Sequence, residues 1–133
     1  MPYLIDSDWV IDHLEDVPAA VELLEKLTPD GIAISIITYM EVFQGIERSP
    51  DPKEAQRKFE SFMEGVPVIP FSTAVAERCA RLRETLKQQH KRVNSRSLDL
   101  LNAATALEYN LILVTRNTQD YDDLPDLELY QEG

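Results

Sequence analysis

Acidic side chains recur where short apolar stretches of this 133-residue chain end. Asp6 directly follows the run "YLI", and Asp120 follows the run "LILV" by a few residues. Glu41 lies beyond the run "IAIS", and Asp99 begins the segment "LDLLNAATAL". Carboxylates that converge repel one another, so such a group is costly unless a cation occupies it. Because only oxygen ligands are available, the cation would be a hard ion such as Mg²⁺ or Mn²⁺.

Each acid also has an ordinary structural explanation. Thr38 and Glu41 have the spacing of a capping box, in which Glu41 only reaches back to the backbone of Thr38. Asp8 is placed to cap the helix that it opens, and Asp99 to meet a helix dipole. Asp120 fits an ordinary turn. Both explanations stay open for each residue alone, and the joint placement of the acids favours a metal site.

The elements that would carry these acids alternate between strand and helix. Short apolar runs bounded by Gly, Pro, Asn or Ser predict strands at 3–5, 32–34, around Val68 and at 111–114. Helical spacing of apolar residues predicts helices between them, including one opened by Pro18 and others at 53–64, 73–89 and 98–109. Strands that are apolar on both faces imply an α/β fold, with a mainly parallel sheet covered by helices on both sides. Ligands gather beyond the carboxyl ends of such strands, where the four acids are expected to meet.

Length and composition predict one compact domain over residues 1–133. No segment is long and apolar enough to span a membrane, and the N-terminus lacks the pattern of a signal peptide. We therefore expect a soluble, cytoplasmic protein without a membrane partner. The lone Cys79 is expected to be a small buried hydrophobic residue.

The net charge of −11 argues against long-range attraction of nucleic acid, but the charge is unevenly distributed. Seven of the thirteen Lys and Arg residues lie within a nineteen-residue segment in which Glu84 is the only acid. This basic band consists of Arg78, Arg81, Arg83, Lys87, Lys91, Arg92 and Arg96. The band is either a solvated helix face or a surface on which a polyanion rests.

Three motifs contain the acids: "LIDSDWVID", "ISIITYMEVFQGI" and "SLDLLNAATALEYNLILVTRNTQDY". In this order they resemble the PIN-domain ribonucleases, in particular the VapC-type toxins of toxin–antitoxin pairs. The resemblance covers essentially the whole chain, and the third motif is the most specific. It implies a PIN-like three-layer fold with a central sheet of four to five strands. Asn102 departs from the family pattern, in which an aliphatic residue is more usual, and Tyr121 stands where Phe is commoner.

The resemblance also implies an activity, which is Mg²⁺-dependent cleavage of RNA phosphodiester bonds, with Mn²⁺ able to replace Mg²⁺. The metal ligands, which are also the catalytic residues, fall on Asp6, Glu41, Asp99 and Asp120. Asn117 takes the place of the polar residue that accompanies them.

The expected partners are RNA, a cognate antitoxin and a second copy of the chain in a homodimer. Tyr39, Met40 and Phe43, beside Glu41, are candidate contacts, unless they simply pack in the core. Arg116 lies two residues beyond the predicted strand end. It would either bind an RNA phosphate or pair with an acid between residues 120 and 123.

Two alternative functions remain at this point. A non-catalytic PIN-like binding module would be expected to lose at least one carboxylate, and none is missing. The run "LIDSDWV" also fits the Asp-x-Asp pattern of haloacid-dehalogenase-like phosphatases. That class should also have a catalytic Lys and a later Gly-Asp motif, which we do not find. His13 and His90 are interpreted as structural, because neither has a visible catalytic partner in the sequence.

Overall fold

The fold is known from a computed structural model that describes residues 2–131. A parallel sheet with the order β3-β2-β1-β4 forms its centre. The strands are β1 (Tyr3–Ile5), β2 (Ile32–Ser35), β3 (Val68–Ile69) and β4 (Ile112–Val114). A parallel bridge between Leu113 and Leu129 extends the β4 edge toward a fifth strand. The predicted parallel sheet of four to five strands is confirmed.

Six α-helices cover the two faces of this sheet within the described residues. They are α1 (Ser7–Leu14), α2 (Pro18–Leu27), α3 (Ile36–Glu47), α4 (Pro52–Met63), α5 (Thr73–Gln88) and α6 (Ser97–Glu108). The predicted helix boundaries agree with these to within one residue where they were given. Between residues 2 and 131, no helix is both long enough and apolar enough to cross a membrane.

Two helix caps differ from the sequence-based expectation. The cap of α1 is Asp6, whose Oδ1 accepts from the Ser7 backbone N–H at 2.8 Å, and Asp8 lies inside the first turn. The cap of α3 is Ser35, which accepts from the Thr38 backbone N–H at 3.1 Å. The predicted Asp8 cap and Thr38 capping box are therefore wrong. The cap directly follows the last residue of β1 and is itself the last residue of β2, so each helix begins earlier than its next capping-type residue suggested.

Two apolar cores lie on opposite faces of the sheet. Leu4 and Leu113 point toward the core formed with α5 and α6, which also contains Cys79, as predicted. Ile5 and Val114, the next residues along the same strands, point toward the core formed with α1 to α4. Alternate residues of a strand face opposite ways, so strands buried on both sides must be apolar throughout. This arrangement fixes the register of β1 and β4, and with it the direction of the residues that follow them.

The strand order places β1 between β2 and β4, so the connections from β1 and β4 leave toward different sides of the sheet. Such a reversal opens a crevice at the carboxyl ends of the two strands, where ligands bind in parallel α/β folds. Asp6 follows β1 at this crevice, and its backbone N–H donates to the carbonyl oxygen of Val114, the last residue of β4. The fold thus places the chain after β1 beside the chain after β4.

Candidate active site

Asp6 is held from two directions at the floor of the crevice. Its side chain is only 6% exposed, and Oδ1 accepts the Ser7 backbone N–H. Its Oδ2 accepts from the Thr115 hydroxyl at 2.7 Å, and the same hydroxyl oxygen accepts the Asn117 backbone N–H at 3.1 Å. Burial raises the pKa of Asp6 above its ordinary value, and the nearby charges of Asp8 and Asp99 raise it further. These contacts fix the carboxylate in one orientation.

Glu41 reaches the same crevice from α3. Its side chain is half-buried, and burial is the largest cause of its raised pKa. The charge of Asp6 is the next largest cause, with smaller effects from Asp99 and Asp8, whereas the Ser7 side chain lowers the pKa by hydrogen bonding. Because electrostatic coupling falls with distance, these effects place Glu41 in the same acidic cluster as Asp6 and Asp99. Glu41 does not cap its helix.

Asp99 enters the cluster from the first turn of α6. The Tyr121 hydroxyl donates to its Oδ1 at 3.1 Å, and this tyrosine is 1% exposed. Burial raises the pKa of Asp99, and the charges of Asp120 and Asp8 act in the same direction. Burial and the charges of Asp6 and Asp99 raise the pKa of Tyr121, so its hydroxyl keeps the proton that it donates.

Asp120 and Asn117 lie at the rim of the cluster, in and before the short helical turn Thr118–Asp120. The Asp120 Oδ1 accepts from Arg92 Nη2 at 3.0 Å, so this carboxylate has its own counter-ion. The exposed Asn117 donates through Nδ2 to Asp8 Oδ2 at 3.2 Å. The sequence thus predicted the neighbourhood of both residues, but it did not predict their partners.

Arg116 points away from the acids between residues 120 and 123. Its Nη1 forms an ion pair with Asp12 Oδ2, and its guanidinium stacks on the Trp9 ring at 4.0 Å from the centroid. The alternative prediction of a pair with an acid between residues 120 and 123 is therefore wrong, because α1 passes closer to Arg116. Contact with RNA phosphate stays a prediction for this side chain.

The basic band is not a uniform solvated face. Arg96 is 3% exposed and donates to both carboxylate oxygens of Asp123, at 2.7 and 2.9 Å. A further bond joins Arg96 Nη1 to the Asp120 backbone carbonyl at 2.9 Å. Arg78 pairs with Glu108, and Arg92 with Asp120. Arg92 and Arg96 of the basic band therefore hold the loop after β4 in place. The spacing of the basic residues in the sequence did not indicate this role.

Sequence reasoning missed several residues of the cluster. Asp8 was assigned to a cap, although its spacing from Asp6 was a usable signal. Thr115 gave no signal, because its partner Asp6 is distant in sequence. Tyr121 differed from the usual Phe of the family by the hydroxyl that donates to Asp99, but no local pattern indicated that partner. Asn102, one of the two departures from the family pattern, lies beneath the cluster, where its Oδ1 accepts from the Ser35 hydroxyl at 2.8 Å.

The donor set suits a hard divalent cation in type and charge. The side chains available are carboxylates of Asp6, Glu41 and Asp99, and three raised pKa values mark an excess of negative charge. Within residues 2–131, however, no three such side chains are spaced to hold an ion as they lie. Arg92 holds Asp120, and Tyr121 holds Asp99. Binding of an ion would therefore require side-chain movements.

The candidate contact residues on α3 are divided between core and surface. Tyr39 stacks on Phe43 with 6.1 Å between ring centroids and packs against Phe59 at 5.2 Å. Met40 is 47% exposed. His13 packs on Phe62 at 5.1 Å, away from the acidic cluster, in keeping with the structural role expected of it.

A parallel three-layer α/β fold with an acidic crevice at its strand reversal defines the general class of this protein, and comparison with known proteins defines its family. A sequence profile of the PIN domain matches residues 3–127. The chain therefore belongs to the PIN-domain family, and within it to the VapC-type ribonucleases of toxin–antitoxin pairs.

Individual relatives match over most of their length. The tRNA(fMet)-specific endonuclease VapC of Shigella flexneri is 27% identical over 122 residues, covering 92% of this chain and 91% of that protein. Ribonuclease VapC10 of Mycobacterium tuberculosis is 34% identical over 115 residues, covering 86% and 81% respectively. The crystal structure of VapBC2 from Rickettsia felis, bound to a DNA fragment from its promoter, is similar with a TM-score of 0.87 and 27% identity, over 100% of both chains.

Proposed function

We propose that this chain is a divalent-metal-dependent endoribonuclease and the toxin of a toxin–antitoxin pair, acting at the crevice beyond β1 and β4. The catalytic residues are Asp6, Glu41 and Asp99, with Asp120 and Asn117 at the rim. Residues 1–133 act as one PIN domain. The alternative of a haloacid-dehalogenase-like phosphatase is excluded by the family, and a purely binding module is disfavoured because all of the acids are present.

One observation carries this proposal. Three carboxylates from three different elements converge on one crevice, and each has a pKa raised by burial and by the charges of neighbouring acids. Removing acidic groups from water and bringing them together costs stability, unless a function maintains the arrangement. Carboxylates with perturbed pKa values in a cleft are typical of functional sites, and a bound cation would offset the charge of such a group.

PIN-domain ribonucleases are generally dependent on divalent metals, and we take the ion here to be Mg²⁺, with Mn²⁺ as a substitute. Asp6 and Asp99 would hold it, assisted by Glu41 and Asp120 directly or through water. When bound, the ion would polarise the scissile phosphate and activate a water for in-line attack. No Ser, Cys or His nucleophile is needed for this class of hydrolysis.

The surrounding residues restrict the movement of two of these carboxylates in the absence of an ion. Thr115 and the Ser7 backbone hold both oxygens of Asp6, so this carboxylate does not have to be ordered on binding. Tyr121 holds one oxygen of Asp99 and leaves the other available. Fixed ligands lose little conformational freedom on binding, which raises affinity.

The partners follow from the same family. The matched structure from Rickettsia felis is VapBC2 bound to promoter DNA, and a matched structure from Klebsiella pneumoniae is a toxin–antitoxin complex. We accordingly assign this chain RNA as substrate, a cognate antitoxin as inhibitor, a homodimeric state and a cytoplasmic location.

The direct test is cleavage of RNA by the purified chain. Total bacterial RNA should be cut in the presence of Mg²⁺ and left intact in EDTA, and a small phosphate ester should not be hydrolysed. Asp99→Asn should abolish cleavage, because it keeps the shape of the side chain but removes a charge that the ion needs.

Asp122→Asn is the matched control for this experiment, because Asp122 is an exposed acid in the loop near the site and its loss changes the net charge equally. We expect this variant to cleave like the unmodified protein. Cleavage by Asp99→Asn at saturating Mg²⁺ would contradict the site, and hydrolysis of the ester without RNA cleavage would contradict the activity.

A further inference from the structure

Charge in this chain is strongly segregated. The basic band holds seven of the thirteen Lys and Arg residues and only one of the 24 acids. The remainder of the molecule is therefore more acidic than the net charge of −11 suggests. A polyanion approaching such a surface is repelled almost everywhere and attracted in one place.

Part of the basic band lines a groove. The groove has a volume of about 460 Å³ and runs between the C-terminal half of α5 and the residues that follow it. Its charged lining consists of Arg83, Lys87, Lys91 and a single acid, Glu84. Arg83 donates to the Asn94 side chain at 3.4 Å, and Lys91 donates to the Asp123 backbone carbonyl at 3.0 Å. Neither cation has a carboxylate partner among residues 2–131, so both keep their charge available.

The same segment joins the groove to the acidic cluster. Lys91 and Asn94 line the groove, whereas Arg92 between them turns the other way and binds Asp120 at the rim of the cluster. Arg96 ties the end of this segment to Asp123 and to the Asp120 backbone. A nucleic acid strand with one phosphate at the acidic cluster could therefore extend into the groove on the adjoining surface.

We propose that this groove binds the phosphate backbone of single-stranded RNA that extends from the cleavage site. Grooves that bind single-stranded nucleic acid place basic side chains along its phosphate backbone, without recognising its sequence. The inference rests on the proposed ribonuclease function, which it extends by assigning the path of the substrate. It also accounts for how a strongly acidic protein can bind RNA, since the acidic cluster itself cannot attract it.

The test compares two charge reversals at equivalent places. Lys87→Glu reverses a charge in the groove, in the last turn of α5. Lys26→Glu reverses an exposed lysine in the last turn of α2, which does not line this groove. Both substitutions change the net charge and the helix dipole equally. Neither lysine side chain forms a hydrogen bond or ion pair within residues 2–131, so both variants should fold.

Binding is measured by fluorescence anisotropy of a labelled single-stranded RNA, with every protein carrying Asp99→Asn to suppress cleavage. We expect Lys87→Glu to weaken binding on the order of tenfold at low salt, and Lys26→Glu to change it much less. The slope of log K against log salt should become shallower by roughly 0.7 for each lost phosphate contact. Arg83→Gln combined with Lys91→Gln should reduce the slope further.

Equal affinities and equal salt slopes for the Lys87 and Lys26 variants would overturn the proposal. A groove variant that binds RNA normally but binds the purified antitoxin more weakly would overturn it too, because the groove would then be a protein interface. Failure of the ribonuclease function is a separate result, recognised when the protein without Asp99→Asn does not cut RNA in Mg²⁺.

Discussion

Two opposing forces act on the carboxylate of Asp6. Its burial and the charges of its neighbours raise its pKa, which disfavours the charged form. The Thr115 hydroxyl and the Ser7 backbone N–H stabilise that same form by hydrogen bonding. The balance leaves a carboxylate that is well ordered but electrostatically uncompensated. A bound cation would offset the repulsion between the acidic charges and would leave the two hydrogen bonds to Asp6 in place.

Asp6→Asn should raise the melting temperature of the metal-free protein at neutral pH. A raised pKa in the folded state means that the charged form destabilises the fold above that pKa, and Asn removes this charge while still capping α1. A gain of about 1 kcal/mol would raise the melting temperature by roughly 3–5 °C.

The same variant should lose the stabilisation that Mg²⁺ gives to the unmodified protein, because an ion that binds only the folded cluster acts by mass action. Differential scanning fluorimetry with EDTA and with Mg²⁺ measures both effects. An equal Mg²⁺-induced shift in the two proteins would place the ion elsewhere.

Tyr121 is a positioning residue for Asp99 in this account. Tyr121→Phe removes only the hydroxyl that donates to Asp99 Oδ1, and residues that orient metal ligands typically change ion affinity by about tenfold or more. We expect the midpoint of a Mn²⁺ titration, followed by melting temperature, to rise by about that factor. Cleavage should recover in part when Mn²⁺ is saturating.

Tyr109→Phe is the matched control for Tyr121→Phe, since it removes the same atom from a tyrosine that is exposed at the end of α6. A merely structural role for Tyr121 predicts a lower melting temperature in EDTA with an unchanged Mn²⁺ midpoint. That outcome would remove Tyr121 from the description of the site.

At the scale of elements, the spacing of apolar residues and the turn-forming residues between apolar segments predicted most of the fold. Pro18 and the Ser, Gly and Asn residues at the strand ends mark boundaries by local backbone chemistry, which a sequence displays directly. The caps of α1 and α3 were misassigned because two capping-type residues stand close together in each case. The bonds of Thr115 to Asp6 and of Tyr121 to Asp99 join distant elements, and no local pattern encodes such pairs.

The segment Thr118–Asp120 and the residues after it depend on Arg96. This side chain is almost completely buried and binds the carboxylate of Asp123 through two hydrogen bonds. The hydrogen bonds from Arg96 hold the pKa of Asp123 below its ordinary value. The interaction therefore stabilises the fold above the unfolded-state pKa of about 3.9, and this contribution is lost as the pH falls through the lower, folded-state value.

Asp123→Asn should lower the free energy of unfolding at pH 7 by about 1.5–3 kcal/mol, the usual contribution of a hydrogen bond to a charged group. It should also reduce the loss of stability between about pH 5 and pH 2, because the titrating group is absent. Urea unfolding at several pH values, in EDTA, measures both effects. Asp122→Asn, the neighbouring exposed acid, should change neither. If the free energy of unfolding of Asp123→Asn had the same pH dependence as that of the unmodified protein, the pair of Arg96 with Asp123 would not contribute to stability.

At the scale of the whole molecule, two exposed apolar residues lie one turn apart on α3. Ile36 is 38% exposed and Met40 is 47% exposed, whereas Tyr39 and Phe43 stack on each other. A surface of this kind on a helix beside the site suits self-association, in which both copies present the same face.

Met40→Glu should therefore weaken the proposed homodimer, because it places a charge where two apolar faces would meet. Static light scattering should show a dimer of the unmodified protein at micromolar concentration and a monomer of the variant. Tyr109→Glu, at a similarly exposed residue directly after α6, should remain dimeric. A monomeric unmodified protein at this concentration would overturn the homodimer.

We propose that the acidic cluster between β1, α3 and α6 holds the ion with which the protein cleaves RNA. The most direct measurement is anomalous diffraction from a crystal of the protein soaked in Mn²⁺, under conditions in which the dissolved protein cuts RNA. We predict an anomalous peak between the carboxylates of Asp6 and Asp99, with Glu41 beside it. A protein that cleaves RNA with Mn²⁺ but shows its bound ion only at another place would contradict the claim.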